Sequence, residues 1–398
     1  MARLLALLAC VGLARGTEVK TLPGWAGKLP SRSYSGYVDG TPAGEVKPIH
    51  THYWLHESEG DPATDPLIVW TNGGPGASSM FGLLVEIGPL FLSGASLGTA
   101  EFNKTGVPTL FRNEFAWTKL GNLLIYNAPA PVGFSYCGDD PAGDAHSCGD
   151  WDDTRQAKSA HVFLKNILKE FPQFAKHDVY ITGESYAGIY VPTLAREILE
   201  SKADDEPRLK GLAVGDGACT QIGEWRNHRA RLGLGGGLND YPCGGGPAMD
   251  VWVNQTAVRR ALHVPLGAHF YSFDNAEGFT YTMSESSMLP FYKHVALHTD
   301  VRVLIYNGDT DPGLNSIVAQ NWTSALELET KSAWRPWTVD GYQRMGGYVV
   351  EYEGDFSFLT IRGAGHMVPE YKPAASFEFL QRWLRNEPFR PYAPPGSA

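Results

Sequence analysis

The stretch that most constrains this chain is the hexapeptide Gly183 to Gly188, with the sequence GESYAG. The residues before it, Asp178 to Thr182, are mostly β-branched or aromatic and are typical of a buried strand. The residues after it, Ile189 to Leu199, indicate a helix that is entered through small side chains. The pattern therefore predicts that Ser185 is held on a sharp turn between a strand and a helix.

A serine on such a turn is typical of the nucleophile elbow of α/β-hydrolases. The elbow holds the hydroxyl above the sheet edge and directs the following backbone N–H groups at an oxyanion. The usual pattern is G-x-S-x-G, whereas here Ala187 occupies the fifth position and Gly188 follows it. Taken alone, the match is weak evidence, because many peptides of this kind are plain turns.

The rest of the chain alternates predicted strands and helices, which indicates an α/β fold with a mostly parallel central sheet and helices on both faces. Asp152 and Asp153 can cap a helix that ends near Pro172, and Ala374 to Leu384 has the pattern of a last amphipathic helix. The other predicted strands are residues 34–39, 50–57, 66–70, 122–126, 209–214, 301–306 and 358–361.

Four loops carry the polar residues of interest, and each loop follows a predicted strand. They contain Asn72, Ser185, the pair Asp309 and Asp311, and His366. In open α/β sheets, sites form at the carboxyl ends of the strands. We therefore expect the four loops to meet on one edge of the sheet.

A catalytic serine needs a histidine to accept its proton and a carboxylate to orient that histidine. In α/β-hydrolases the chain order is serine, acid, histidine. His366 is the only histidine after residue 298, so it is the candidate base. Asp309 and Asp311 both follow a strand at a suitable point, and the residues alone do not choose between them, because aspartate often caps such turns.

Composition excludes some classes of function. The formal net charge is −10, the isoelectric point is near 5.6, and no basic cluster is present, so we expect no nucleic-acid partner. His50, His52 and His56 share one face of a predicted strand and could be read as metal ligands. Only Glu57 lies near them as a further ligand, so we interpret them as structural and expect no metal or other cofactor.

The first residues are predicted to be a targeting segment. Residues 1–16 combine a short basic start, an apolar run from Leu4 to Leu13 and small residues suited to cleavage. The run is too short to span a bilayer, and no later stretch is long enough and free enough of charge to do so. We therefore expect a protein of the secretory pathway without stable membrane insertion, whose mature domain is residues 17–398.

An oxidising compartment favours disulfides. Four cysteines lie outside the targeting segment, and short separations favour the pairs Cys137–Cys148 and Cys219–Cys243, although three pairings are formally open. A metal site is disfavoured, because no C-x-x-C pair is present. The sequons at Asn103, Asn254 and Asn321 are predicted glycosylation sites.

The stretch from Gly217 to Pro247 interrupts the alternation. It is rich in glycine and is predicted to be a loop or a small excursion from the core.

Taken together, the motifs resemble those of the serine carboxypeptidase family. They occur in the family's order over nearly the whole mature chain, and their combination is far more specific than any one of them. The matching stretches are residues 53–58, 70–79, 86–89, 133–136, 183–188, 307–311 and 363–366.

The resemblance implies roles for particular residues. It identifies Ser185 as the nucleophile, Asp311 rather than Asp309 as the acid, and His366 as the base. The N–H groups of Gly74 and Tyr186 would form the oxyanion hole. Asn72, Glu184 and Glu86 would recognise the free C-terminal carboxylate of a peptide or protein substrate.

A second set of expectations follows from the same resemblance. Glutamates that bind a carboxylate must share a proton with it, so we expect hydrolysis at acid pH and weaker substrate binding as the pH rises. The enzyme would release C-terminal residues through an acyl-enzyme and would be secreted or delivered to a lysosome or vacuole. Side-chain preference and the formation of a homodimer stay open.

The sequence departs from the family in two notable places. Ala77 stands where the family often has a cysteine, so one common disulfide is absent. The family usually inserts a much longer, mostly helical cap near residues 217–262, and here that insertion is short, which means either an unusually open site or an incomplete gene model.

Two other functions are compatible with these motifs. One is an acyltransferase of the same family, which passes the acyl group to an alcohol; family transferases often have aspartate at the position of Glu184. The other is a non-catalytic protective or binding protein on the same fold.

Overall fold

The architecture is known from a computed structural model, which describes residues 16–219, 244–272, 279–341 and 344–393. The predicted targeting segment lies outside the described residues except for Gly16. Twelve strands of the described chain form one sheet, and two further pairs of short strands lie beside it. The strands are β1 (Thr17–Glu18), β2 (Ser33–Asp39), β3 (Ile49–His56), β4 (Leu67–Thr71), β5 (Leu90–Phe91), β6 (Phe111–Arg112), β7 (Asn122–Tyr126), β8 (Tyr136–Cys137), β9 (Trp151–Asp152), β10 (Asp178–Glu184), β11 (Arg208–Gly215), β12 (Tyr281–Thr282), β13 (Arg302–Gly308), β14 (Thr330–Thr338), β15 (Met345–Tyr352) and β16 (Phe356–Ile361).

The large sheet is parallel in its centre and antiparallel at both edges. Its order is β1-β2-β3-β7-β4-β10-β11-β13-β16-β15-β14, with β8 pairing beside β3. The run from β7 through β4, β10, β11 and β13 to β16 is parallel throughout. The carboxyl ends of these six strands therefore lie at one edge, where the four predicted loops begin.

Side-chain alternation along the central strands explains why both faces of the sheet are covered. On β4, Leu67 and Val69 belong to one hydrophobic cluster, whereas Ile68 and Trp70 belong to another on the opposite face. Successive side chains of a strand point to opposite faces, so a strand buried on both sides reads as a continuous apolar run. The predicted α/β-hydrolase-like arrangement is confirmed in these strands.

Helices supply the other half of each cluster. One cluster contains apolar side chains of α2, α3, α6 and α7, and the other contains those of α4, α5 and α9. Within the described ranges, no helix is both long enough and apolar enough to cross a lipid bilayer. The α-helices are α1 (Ala100–Thr105), α2 (Asp153–Glu170), α3 (Ala187–Glu200), α4 (Gly245–Val253), α5 (Thr256–Ala261), α6 (Leu289–His298), α7 (Ser316–Ser324), α8 (Val368–Tyr371) and α9 (Pro373–Leu384), and a π-helix spans Gly82–Ile87.

The glycine-rich stretch is described only in part. Residues 220–243 lie outside the described residues, but Gly245, Gly246 and Pro247 form the first turn of α4 instead of the predicted loop. Helix α4 packs into the core, where Trp252 stacks against Trp54 with a centroid separation of 6.2 Å. Burial of this apolar helix face outweighs the weak helix propensity of its glycine-rich start.

The cysteine predictions have different outcomes. The Cys137–Cys148 disulfide is confirmed, with the two Cα atoms 5.1 Å apart. The predicted Cys219–Cys243 disulfide is wrong, because Cys219 carries a free thiol. Cys243 lies outside the described residues. Cys219 is buried, and its carbonyl accepts the N–H of Met288 at 2.9 Å. Burial raises the pKa of this thiol to about 12, so it is an unreactive core side chain.

Asn103, Asn254 and Asn321 are all exposed, so glycan attachment at these sequons is sterically allowed and stays a prediction.

Candidate active site

Ser185 occupies a strained turn directly after β10. Its φ angle is +63°, a left-handed conformation that non-glycine residues adopt rarely. The turn is held from both sides: the N–H of Ser185 donates to the Gly215 carbonyl at 2.9 Å, and its own carbonyl accepts the N–H groups of Gly188 and Ala218 at 2.9 and 3.0 Å. Strain of this kind persists only when the surroundings fix it, and it is common at catalytic residues.

The close packing of the turn explains the order of small residues in the hexapeptide. A Cβ atom on Gly188 would lie 2.5 Å from the Ala218 carbonyl oxygen, and one on Gly183 would lie 2.6 Å from the Ala187 Cβ. Glycine is therefore needed at 183 and 188, whereas the methyl group of Ala187 is accommodated. The departure from G-x-S-x-G has a steric basis and does not weaken the elbow.

The predicted acid and base are in direct contact. His366 Nδ1 lies 2.7 Å from Asp311 Oδ2, and Asp311 Oδ1 accepts the N–H of Gly313 at 2.8 Å. Asp309 instead accepts the N–H of Gly363 at 2.7 Å on the outer side of the loop. The geometry thus separates the two aspartates, and it is Asp311, the residue indicated by the family resemblance, that contacts His366.

The charge state of Asp311 suits its position. Burial alone would raise its pKa, but the hydrogen bond and charge of His366, together with the Gly313 N–H, outweigh burial and lower the pKa below its usual value. Asp311 therefore remains a carboxylate that can orient the imidazole.

Ser185, Asp311 and His366 follow β10, β13 and β16, which lie within four neighbouring strands of the sheet. Ser185 is partly exposed at this edge, and its hydroxyl makes no hydrogen bond to the residues that the structure describes. The structure thus joins the acid to the base and places the serine at the same edge, without closing the serine–histidine hydrogen bond.

The two predicted oxyanion donors come from loops that pack against each other. A Cβ atom on Gly73 would lie only 2.2 Å from the Tyr186 nitrogen, so the glycine loop lies directly on the elbow. Gly74 has a φ of +109°, a conformation that favours glycine. Among the hydrogen bonds of the described chain, neither the Gly74 nor the Tyr186 N–H has an acceptor, which leaves both free for an oxyanion.

Asn72 and Glu184 form the polar floor beside the elbow. The Asn72 Oδ1 accepts from the Trp70 indole at 2.8 Å and from the Gly82 N–H at 3.1 Å. This fixes the amide so that its Nδ2 donates to Glu184 Oε1 at 2.9 Å. The remaining Glu184 oxygen and both Glu86 oxygens are buried, and within the described residues the two carboxyl groups have no further partner except each other.

Burial raises the pKa of Glu184 to about 8. Burial and the nearby charge of Glu184 raise the pKa of Glu86 well above its usual value. Glu370, on α8, is also buried, and its pKa is raised to about 7. These carboxyl groups hold protons at acid pH because close, desolvated carboxylates cannot all be ionised.

Three acidic residues near the site were not identified from the sequence as part of it. They are Glu370, Asp216 and Asp153, of which Asp153 was predicted only to cap a helix. A lone acidic residue beside a strand or helix end is usually a cap or a surface charge, so no sequence signal distinguished them.

Asp153 fixes the side chain of Tyr186. One Asp153 oxygen accepts the hydroxyls of Tyr186 and Tyr281 at 2.7 and 2.8 Å, and the other accepts the N–H groups of Ser284 and Glu285 at 2.6 and 2.7 Å. Each carboxylate oxygen of Asp153 therefore accepts at least two hydrogen bonds. The segment at 281–285 is tied to the elbow through this one carboxylate.

We predict that Asp153→Asn destabilises the fold by about 2–4 kcal/mol, because the amide NH₂ would face two donors in a buried site. Urea unfolding followed by tryptophan fluorescence measures the effect. Asp152→Asn is the matched control, since Asp152 caps α2 and asparagine is an equally good cap. Equal stability of the two variants would contradict the assigned role of Asp153.

The early histidines lie apart from this site. His52 is fully buried between Ser35 Oγ at 3.2 Å and Asn127 Nδ2 at 2.8 Å, and burial lowers its pKa to about 3. Burial likewise lowers the pKa of His56 to about 3, and His50 stacks on Tyr136. These contacts support the structural interpretation.

A strained serine elbow on a parallel sheet, with a histidine–aspartate pair at the same edge, defines a serine hydrolase of the α/β-hydrolase fold. The family model described as serine carboxypeptidase matches residues 23–238 and 236–386. The chain belongs to the serine carboxypeptidase family and is a serine-type carboxypeptidase.

Known proteins agree with this assignment. The chain is 29% identical to serine carboxypeptidase 1 of Hordeum vulgare, with 93% of each chain covered. It is also 29% identical to the lysosomal protective protein of Mus musculus, with 94% of each covered. The fold is similar to that of Kex1Δp, a prohormone-processing carboxypeptidase from Saccharomyces cerevisiae, at a TM-score of 0.69 and 20% identity, covering 89% of this chain and 91% of that one.

Proposed function

We propose that this carboxypeptidase releases residues from the C-terminus of peptides at acid pH through an acyl-enzyme on Ser185. The observation that carries this proposal is the pair of buried carboxyl groups of Glu86 and Glu184 beside the elbow, whose oxygens, apart from the Asn72 contact, have no partner among the described residues except each other. Buried polar atoms normally have partners, so an unpaired group in a cleft favours a ligand. A substrate carboxylate would supply oxygens that accept the protons of these two acids.

The reaction follows from the geometry. His366 accepts the Ser185 hydroxyl proton as the oxygen attacks the last peptide carbonyl, and Asp311 stabilises the imidazolium. The Gly74 and Tyr186 N–H groups donate to the oxyanion. The C–N bond breaks as His366 protonates the leaving amine, which departs as the C-terminal residue. Water, deprotonated by His366, then hydrolyses the ester and restores Ser185.

The position of the carboxyl pair determines which bond is cut. Glu184 immediately precedes Ser185, and its orientation is fixed through Asn72. A carboxylate held there places the preceding peptide bond, and no other, at the serine. This supports exopeptidase action over internal cleavage.

We propose that the cap is reduced and that the cleft is correspondingly open. The family model matches the chain in two segments, which meet at residues 236–238, within the stretch where family members usually have a longer insertion. In the part of the predicted cap region that the structure describes, the buried apolar side chains of α4 and α5 belong to the core. An open cleft would accept large side chains before the scissile bond.

The protein's route is also a proposal. The Cys137–Cys148 disulfide is typical of an oxidising compartment, and one relative carries the word lysosomal in its name. We propose passage through the secretory pathway to a lysosome, a vacuole or the cell exterior.

We predict that substrate binding weakens as the pH rises through about 8, the pKa of Glu184, because an ionised Glu184 repels the substrate carboxylate. Below that pH the proton is present and binding is retained. The expected signature is a rising KM with little change in kcat, measured with an N-blocked dipeptide.

Glu184→Gln tests this assignment, since glutamine stays neutral and can still accept from Asn72. Its KM should change less with pH than that of the wild type. Glu200→Gln, an exposed substitution on α3, is the matched control. A Glu184→Gln variant with the wild-type dependence of KM on pH would rule out Glu184 as the titrating group.

A further inference from the structure

Asp216 lies between the elbow and the catalytic acid. It follows Gly215, the residue whose carbonyl anchors the N–H of Ser185. Its side chain is fully buried, and its φ of +43° is one that aspartate and asparagine tolerate better than most residues. Its own N–H donates to the Tyr306 carbonyl at 2.8 Å. The backbone therefore fixes where its carboxyl group points.

The carboxyl group of Asp216 reaches the loop that carries Asp311. It accepts the Gly308 N–H at 3.1 Å and the Asn307 amide at 3.2 Å. One oxygen of Asp216, one of Asp311 and one ring nitrogen of His366 lie within 4.8 Å of one another. Asp216 is thus a buried carboxyl group close to the acid–base pair.

The groups that face Asp216 do not favour a second negative charge. The titratable groups around it are Asp311, Glu184 and Tyr306, with His366 beyond Asp311. Two adjacent buried carboxyl groups that have a single imidazole beside them are most stable when one of the two keeps its proton.

We propose that Asp216 is a positioning residue of the triad, a protonated carboxylic acid that donates its O–H to the Asp311 carboxylate and holds Asp311 against His366. The proposal rests on the function proposed for Ser185, Asp311 and His366. Burial and the charge of Asp311 raise the pKa of Asp216 well above its usual value, which supports the protonated state. Oδ1 of Asp216 accepts from the Asn307 amide and the Gly308 N–H, and Oδ2, which lies 3.2 Å from the same Gly308 nitrogen, would carry the proton that Asp311 accepts.

Two substitutions separate hydrogen bonding from packing. Asp216→Asn keeps an acceptor, a donor and a side chain suited to the positive φ. Asp216→Leu keeps the branching at Cγ, with a larger side chain, but removes both polar functions. The readout is the rate at which a fluorophosphonate labels Ser185, because this probe has no C-terminal carboxylate and does not depend on Glu86 or Glu184.

We expect Asp216→Asn to be labelled within about threefold of the wild-type rate, and Asp216→Leu to be labelled about 10- to 100-fold more slowly, the effect of losing a hydrogen bond to a charged group. Labelling of Asp216→Leu at the wild-type rate would overturn the proposal. Slow labelling of Asp216→Asn would also overturn it, since it would show that the ionised carboxylate is required.

An infrared measurement tests the protonation state even if Asp216→Leu fails to fold. The difference spectrum between the wild type and Asp216→Asn at about pH 7, well above the ordinary pKa of aspartate, should contain the C=O stretch of a protonated carboxyl group. Loss of only carboxylate bands would overturn the proposal. Ser185→Ala is labelled alongside, and its loss of labelling shows that Ser185 is the nucleophile. Failure of the proposed function can therefore be distinguished from failure of the role proposed for Asp216.

Discussion

Ser185→Ala is expected to abolish peptide hydrolysis, with kcat lower by about five to six orders of magnitude, as for other serine hydrolases that lose the nucleophile. Without the hydroxyl no acyl-enzyme forms, and only the oxyanion donors and substrate binding remain. Steady-state hydrolysis of an N-blocked dipeptide measures the loss. The thermal unfolding midpoint should change little, because the Ser185 hydroxyl has no partner among the described residues.

Ser324→Ala is the matched control, since Ser324 is an exposed serine at the end of α7, away from the elbow. It should retain full activity. Residual hydrolysis by purified Ser185→Ala within a hundredfold of the wild type would contradict the assignment of the nucleophile.

Asp311→Asn is expected to lower kcat by about 10⁴-fold with little change in KM. An amide at this position cannot stabilise the imidazolium, and its NH₂ group favours the wrong tautomer of His366 at the 2.7 Å contact. In the function that we propose, the substrate carboxylate is bound elsewhere, by Asn72 and the two glutamates, so binding should survive.

The neighbouring Asp309→Asn variant is the control that the loop itself provides. Asp309 is exposed and accepts the Gly363 N–H through Oδ1, a contact that asparagine can reproduce. It should keep activity within about threefold of the wild type. If Asp309→Asn lost activity and Asp311→Asn kept it, the acid would have been assigned to the wrong residue.

Much of this architecture is predictable because its signals are local. The central strands are continuous apolar runs, as Leu67–Thr71 shows, and they have to be buried on both faces. The elbow is equally readable, since Gly183 and Gly188 surround a serine at a strand end. Chain order alone places a histidine and a choice of two aspartates at the same sheet edge.

Other features depend on contacts that sequence does not reveal. A single residue, Thr310, separates Asp309 from Asp311, and the local sequence by itself does not show which of the two reaches His366. The pairing of Cys219 with Cys243 was inferred from separation along the chain, but Cys219 is a buried thiol in the core. Separation along the chain does not show which groups surround a cysteine in the fold.

The acidic residues that could not be identified from the sequence have one property in common. Asp216 and Glu370 lie in sequence contexts that favour surface charge, yet both are buried beside the predicted site. Their neighbours come from distant strands and helices, so their shifted pKa values arise only when the sheet assembles.

The most direct test of the central claim compares one N-blocked dipeptide with its C-terminal amide at acid pH. The claim is that Glu86, Glu184 and Asn72 hold the substrate's free carboxylate beside Ser185. The free acid should release its last residue, and the amide should be cleaved with a kcat/KM about 100-fold lower, since its NH₂ group cannot accept a carboxyl proton and leaves one of the two buried acids without an acceptor. Equal cleavage of the acid and the amide would contradict the account.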